Sequence, residues 1–146
     1  MLEIRGSETA DVAVLVDIWR RSVLATHDFL APADFRAIEQ LVAEAYLPQA
    51  QVWVAQDVEL GPVGFMGLTG NNVDSLFIDP EVRGKGIGKL LLAHAQSICG
   101  PLTVDVNEQN GQAVGFYRRM GFEQTGRSEL DGDGRPYPLL HMAMPA

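Results

Sequence analysis

Arg83, Gly84, Lys85, Gly86, Ile87, Gly88 and Lys89 follow the strand-like run Leu76, Phe77, Ile78 and the proline at 80, and an apolar run resumes directly after them. Glycine loses more backbone entropy on folding than alanine, so three of them at alternate positions weaken a helix start and need a reason. At a helix N-terminus several backbone N–H groups lack an intrahelical partner, and the dipole end is positive. Alternate glycines remove the Cβ atoms that would hold a bulky diphosphate away. Arg83, Lys85 and Lys89 invert the local charge in a chain of net charge −8. The chemistry this spacing suits is anion binding.

Two familiar phosphate loops fail on spacing. A P-loop ending at Gly88 and Lys89 would need glycine where Arg83 stands and a hydroxyl residue where Leu90 stands. A dinucleotide fingerprint starting at Gly84 and Gly86 would need its third glycine at Lys89. In the stretch from Asp131 to Tyr137, Arg135 and Pro136 occupy positions where a calcium loop needs a ligand and its glycine. No Cys and His cluster has zinc spacing, so no metal is expected.

The 146 residues, 47% of them apolar, suit a single domain over 1–146. The net charge disfavours nucleic acid and anionic membrane surfaces as partners and tolerates a cationic substrate. A lone cysteine, Cys99, reads as a reduced core thiol and fits a cytoplasmic location. The first residues carry no apolar signal region, and no run approaches the roughly 18 apolar residues of a membrane span.

The elements that must position the glycine stretch follow from periodicity. Residues 2–5 alternate as a strand, Ser7 is a candidate cap, and Val12, Leu15, Ile18, Trp19 and Val23 form a helical stripe. A second helix is predicted over 34–46. Three β-rich runs, 51–56, 62–70 and 73–79, read as an antiparallel meander. Residues 87–98 form a helix with Ile87, Leu91, His94 and Ile98 on one face, and residues 102–106 read as a buried strand, completing a βαβ crossover. A further helix starts at Asn110 and stops at Gly121, and two closing strands follow.

Arg83, Gly86 and Gly88 directly after a strand end resemble the acetyl-coenzyme A pyrophosphate loop of the GNAT family of N-acetyltransferases. Downstream, Asn110, Ala113, Phe116, Tyr117, Gly121 and Phe122 are similar to that family's second signature. The stretches around His27 and Tyr137 look like a small bacterial subgroup described as peptidyl-lysine acetyltransferases. The resemblance implies an α/β fold of the GNAT type, a twisted mixed sheet of six or seven strands flanked by about four helices. It also implies transfer of acetyl from acetyl-coenzyme A to a primary amine, on a protein lysine or a small molecule, in a ternary complex.

The loop from Arg83 to Lys89, with Gly84, Lys85 and Ile87, is then expected to hold the pyrophosphate. The backbone of Leu76, Phe77 and Ile78, splayed from the next strand, is expected to pair with the pantetheine arm. Tyr117 is the implied general acid for the departing thiolate. Asn110 has two compatible roles, helix cap and partner of the pantetheine amides. Asp105 stands where some family members carry a catalytic glutamate, and Asp74 is a second carboxylate near the splay. His27 and Asp28 are candidates for the acceptor pocket. His94 reads as a core histidine, and the facing of His141 is left open. A non-catalytic acyl-coenzyme A sensor and a tRNA-acetylating toxin are the alternatives, the acidic charge disfavouring the toxin; exposed apolar surface would also allow a homodimer.

Overall fold

The computed structural model describes residues 2–26, 29–49 and 52–145. Its strands are β1 (Leu2–Gly6), β2 (Trp53–Asp57), β3 (Gly61–Thr69), β4 (Asn72–Ile78), β5 (Thr103–Asn107), β6 (Glu123–Ser128) and β7 (Leu139–Ala143). Its α-helices are α1 (Val12–Thr26), α2 (Pro32–Gln40), α3 (Ile87–Cys99) and α4 (Gly111–Arg119). The seven strands form a mixed sheet of order β1-β2-β3-β4-β5-β7-β6. By internal contacts the chain divides into two units, Met1–Gly67 with Ser75–His94, and Leu68–Asp74 with Ala95–Ala146.

In the first unit the stripe on α1 does what its period dictates. Leu15, Ile18, Trp19 and Val23 are buried against Leu47, Val52, Val54 and Phe65, each side chain contributing about 1.5–3 kcal/mol by leaving water. Phe35 of α2 stacks on Trp19 with ring centroids 5.5 Å apart. The second predicted helix is not uniform: after Gln40 it widens into a π-helical stretch, Leu41–Tyr46, a form often found at functional sites.

Ser7 is not the cap of α1. Its hydroxyl accepts from the Val52 amide at 3.0 Å and ties the end of β1 to the segment before β2. The turn into α1 is fixed instead by Asp11, which accepts from the Glu8 amide at 2.7 Å and receives a fork from Arg5 at 2.8 and 2.9 Å. The Arg5 hydrogen bond holds the Asp11 carboxyl below its ordinary value, against the opposing effect of burial. A depressed native pKa stabilises the fold above the unfolded-state value and loses that contribution as pH falls through the native one. Asp11→Ala is therefore expected to cost about 2 kcal/mol at neutral pH. Denaturant unfolding of both proteins should show that gap holding above about pH 5 and closing in more acidic solution.

In the second unit β5 lies between β4 and β7. Leu102, Val104, Val106, Val114, Tyr117, Phe122, Leu140 and Met142 are among its buried apolar residues. The parallel pairing of β4 with β5 is confined to Asn72 with Thr103 and Val73 with Val104. Beyond Val73 the ladder stops, whereas β5 remains paired with β7 from Thr103 to Asn107. Cys99 is not a core thiol. It is half-buried, and its S–H donates to the Gly70 carbonyl at 3.2 Å. Ile98 is exposed, so the apolar face of α3 is shorter than its sequence period suggests. The loop after β6 is folded on Asp131, whose carboxylate accepts from the Asp133 and Arg135 amides at 3.0 and 2.8 Å.

Candidate active site

The glycine turn is built from β4 outward. Asp79 closes the strand by donating its amide to the Val63 carbonyl at 2.8 Å, and its carboxylate accepts from the Glu81 amide at 3.0 Å. Arg21, reaching over from α1, donates to the same carboxylate at 2.7 Å. Burial alone would raise the Asp79 carboxyl, but the Arg21 hydrogen bond, the Glu81 amide and the Arg21 charge outweigh it and hold the group below its ordinary value. A short 3-10 turn, Pro80–Val82, then delivers the chain to Arg83.

Gly84 and Gly86 have φ of +78° and +80°. A Cβ at either would meet nothing within 4 Å, so the sequence needs glycine there for its backbone conformation rather than for space inside the protein. Gly88 differs, lying in the first turn of α3. Ile87 is buried and anchors the turn. Leu90 is the first helical donor, to the Gly86 carbonyl at 3.0 Å. The amides of Ile87, Gly88 and Lys89 before it have no intrahelical acceptor. Lys85 and Lys89 are exposed beside them, and Arg83 is half-buried. The strand feeding the turn is held close to β3: a Cβ at Gly64 would lie 3.1 Å from the Phe77 carbonyl and 2.8 Å from Ile78. Leu76, Phe77 and Ile78 are half-buried, and the Phe77 ring lies 5.6 Å from that of Phe65.

On the second unit Asn110 caps α4, its Oδ1 accepting from the Ala113 amide at 3.1 Å. Its Nδ2 has no partner among the described residues. Gly121 ends the helix at φ +97°, and the Phe122 amide returns to the Tyr117 carbonyl at 3.0 Å. Tyr117 is 7% exposed, set edge-on to Phe116 and Phe122 with centroids 5.3 and 5.2 Å away. Burial pushes its phenol above the ordinary value. The hydroxyl makes no hydrogen bond among the described residues, which leaves a protonated donor uncommitted to the protein. Asp105 faces away from the buried Val104 and Val106 by strand alternation. It meets His141 of β7, Oδ1 to Nδ1, at 2.6 Å. Asp74 is engaged at the β3–β4 hairpin by Thr69 and Asn72. His94 packs edge-on against Trp53 at 4.3 Å. His27 and Asp28 lie outside the described residues.

An amide-lined, positively flanked helix start suits an anion, and a buried phenol held above its ordinary pKa is a proton donor at neutral pH. Residues 24–144 match the acetyltransferase (GNAT) domain family. The chain belongs to that family. The acetyltransferase is 55% identical, over 145 residues and 99% of both chains, to a peptidyl-lysine N-acetyltransferase, YjaB, of Salmonella typhimurium. Its fold matches the solution structure of apo YjaB from Escherichia coli with a TM-score of 0.93 at 52% identity, covering 98% of this chain and 97% of that one. The coenzyme A complex of an N-acetyltransferase from Thermoplasma acidophilum shares the fold, with a TM-score of 0.81 at 20% identity over 100% and 99% of the two chains.

Sequence reasoning missed two features of the acetyltransferase. The π-helical stretch aims Tyr46 at β3 and β4, where its hydroxyl meets Ser75 Oγ at 2.9 Å and Gly67 donates its amide to the same oxygen at 3.0 Å. A Cβ on Gly67 would lie 2.0 Å from the Tyr46 hydroxyl, so Gly67→Ala must expel Tyr46. That substitution is expected to destabilise the fold by about 1–3 kcal/mol, read as a lower denaturant midpoint; an unchanged midpoint would mean that Tyr46 is not held there. The second missed feature is Ser128, which joins His141 and Asp105. The sequence signal for both lies only in long-range pairing.

Proposed function

We propose that this acetyltransferase moves the acetyl group of acetyl-coenzyme A to the side-chain amine of a protein lysine, by direct attack in a ternary complex. The observation that carries this reading is the likeness, at 55% identity over essentially the whole chain, to a peptidyl-lysine N-acetyltransferase. The residues fit the co-substrate. The amides at Ile87, Gly88 and Lys89, with Arg83 and Lys85, would hold its pyrophosphate, the turn being set by Gly84 and Gly86. The backbone of Leu76, Phe77 and Ile78 would take the pantetheine arm, and the unpartnered Nδ2 of Asn110 would donate to a pantetheine carbonyl.

When bound, acetyl-coenzyme A supplies an activated acyl carbon with a thiolate leaving group. Tyr117 supplies the proton that the sulfur needs. A lysine ammonium, of pKa about 10.4, must shed a proton before it can attack, and Asp105 with its His141 partner would supply the carboxylate end of that proton's path. The net charge of −8 favours approach of a cation. Among the described residues no helix is long and apolar enough to cross a membrane. We place the reaction in the cytoplasm and assign it to one domain over 1–146. Release of free thiol against a panel of lysine peptides, polyamines and aminoglycosides tests the acceptor. Turnover on peptides well above the others is expected, and a polyamine preference would move the assignment to small-molecule amines.

A further inference from the structure

Ser128, His141 and Asp105 come from three adjacent strands, β6, β7 and β5, and form one continuous hydrogen-bonded line. Ser128 Oγ lies 2.7 Å from His141 Nε2, and His141 Nδ1 lies 2.6 Å from Asp105 Oδ1. The register makes the line. Asp105 stands directly opposite His141 in the β5–β7 ladder. In the β6–β7 ladder Gly126 stands opposite His141, after an irregularity that skips Thr125. That extra residue shifts the parity of β6 and places Ser128 diagonally beside His141 on its own face; without it the hydroxyl would turn to the other side of the sheet.

Burial does not demand this arrangement. The His141 and Asp105 side chains are 35% and 52% exposed, so water could satisfy each group separately. Asp105 on β5 and Ser128 on β6 are the polar groups that contact the ring, and among the described residues no other ionisable side chain bonds to it. An ionised Asp105 accepts only, so Nδ1 carries hydrogen; neutral His141 then has a bare Nε2 to accept from the Ser128 hydroxyl.

We propose that Ser128, His141 and Asp105 form a proton relay that deprotonates the acceptor amine. This inference rests on the acetyl-transfer reading above. Ser128 Oγ takes a proton from the substrate ammonium as its own hydroxyl proton passes to Nε2. His141 becomes an imidazolium held against the Asp105 carboxylate. The freed nitrogen lone pair forms the N–C bond and the C–S bond breaks. The second proton shed by nitrogen balances the one that Tyr117 gives to sulfur, and the imidazolium returns its proton to solvent. Ser128 is the member that touches substrate; His141 and Asp105 act through it.

The test compares wild type with Ser128→Ala, His141→Gln and Asp105→Asn on a lysine peptide between pH 7 and pH 10. Each variant is expected to lose about 10²-fold in kcat/KM at pH 7, the lower range for general base catalysis, with acetyl-coenzyme A affinity unchanged. The deficit should shrink toward pH 10, where the amine becomes neutral unaided. Equal rates, or a deficit independent of pH, would overturn the relay while wild-type turnover left the acetyl-transfer reading standing. Absence of wild-type transfer to lysine would instead overturn that reading, and the relay with it. Nitrogen NMR of the His141 ring gives a check that needs no acceptor: the Nδ1–H tautomer is expected, and the Nε2–H tautomer would contradict the relay.

Discussion

Tyr117→Phe is expected to lower kcat about 10²-fold while leaving acetyl-coenzyme A affinity and thermal stability nearly unchanged. The structure separates these effects in advance. The ring is 7% exposed and packed between Phe116 and Phe122, and phenylalanine fills the same space. The hydroxyl has no hydrogen-bond partner among the described residues, so its removal leaves no protein group unsatisfied. What the substitution removes is the proposed proton donor to the departing thiolate. Because burial raises the Tyr117 phenol above its ordinary value, the acid form persists through pH 10. The alkaline limb of a kcat profile should therefore not reflect loss of this proton below that point. Full activity in the phenylalanine variant, measured by thiol release, would remove Tyr117 as the acid.

Gly86→Val is expected to weaken acetyl-coenzyme A binding about 100-fold, equivalent to losing about two amide-to-phosphate hydrogen bonds at roughly 1.5 kcal/mol each. The mechanism is conformational. Gly86 has φ of +80°, a region where a β-branched residue is strongly strained. The turn must relax, and the amides that follow it change direction. Packing elsewhere in the fold is not disturbed, since an added Cβ meets nothing within 4 Å. Calorimetric titration should show the affinity loss with the unfolding midpoint little changed. Unchanged affinity would sink the assignment of this turn to the pyrophosphate.

The backbone features around these two positions were legible in the sequence because they are local. A glycine at positive φ, an asparagine cap at 110 and a glycine stop at 121 are each dictated by residues a few places away. Ser7 misled for the same reason: it has the right type and place for a cap, but Val52, 45 residues away, takes its hydroxyl. The His141 and Asp105 contact spans 36 residues. It depends on strand register and on one irregularity in β6, neither of which residue type announces. The glycines divide in an instructive way. Gly84 and Gly86 are needed for backbone angle, whereas Gly64 and Gly67 are needed because Phe77, Ile78, Tyr46 and Ser75 crowd them, a requirement visible only once the strands are paired.

The central claim is transfer from acetyl-coenzyme A to a lysine amine without a covalent acetyl-enzyme. The measurement that tests it most directly is to saturate the protein with acetyl-coenzyme A, add a lysine peptide, and follow free thiol together with the masses of peptide and protein. Thiol should appear only after peptide is added, matched one for one by acetylated peptide, with the protein mass unchanged. Thiol release before peptide with acetyl retained on the protein, or tight binding with no release at all, would contradict the account.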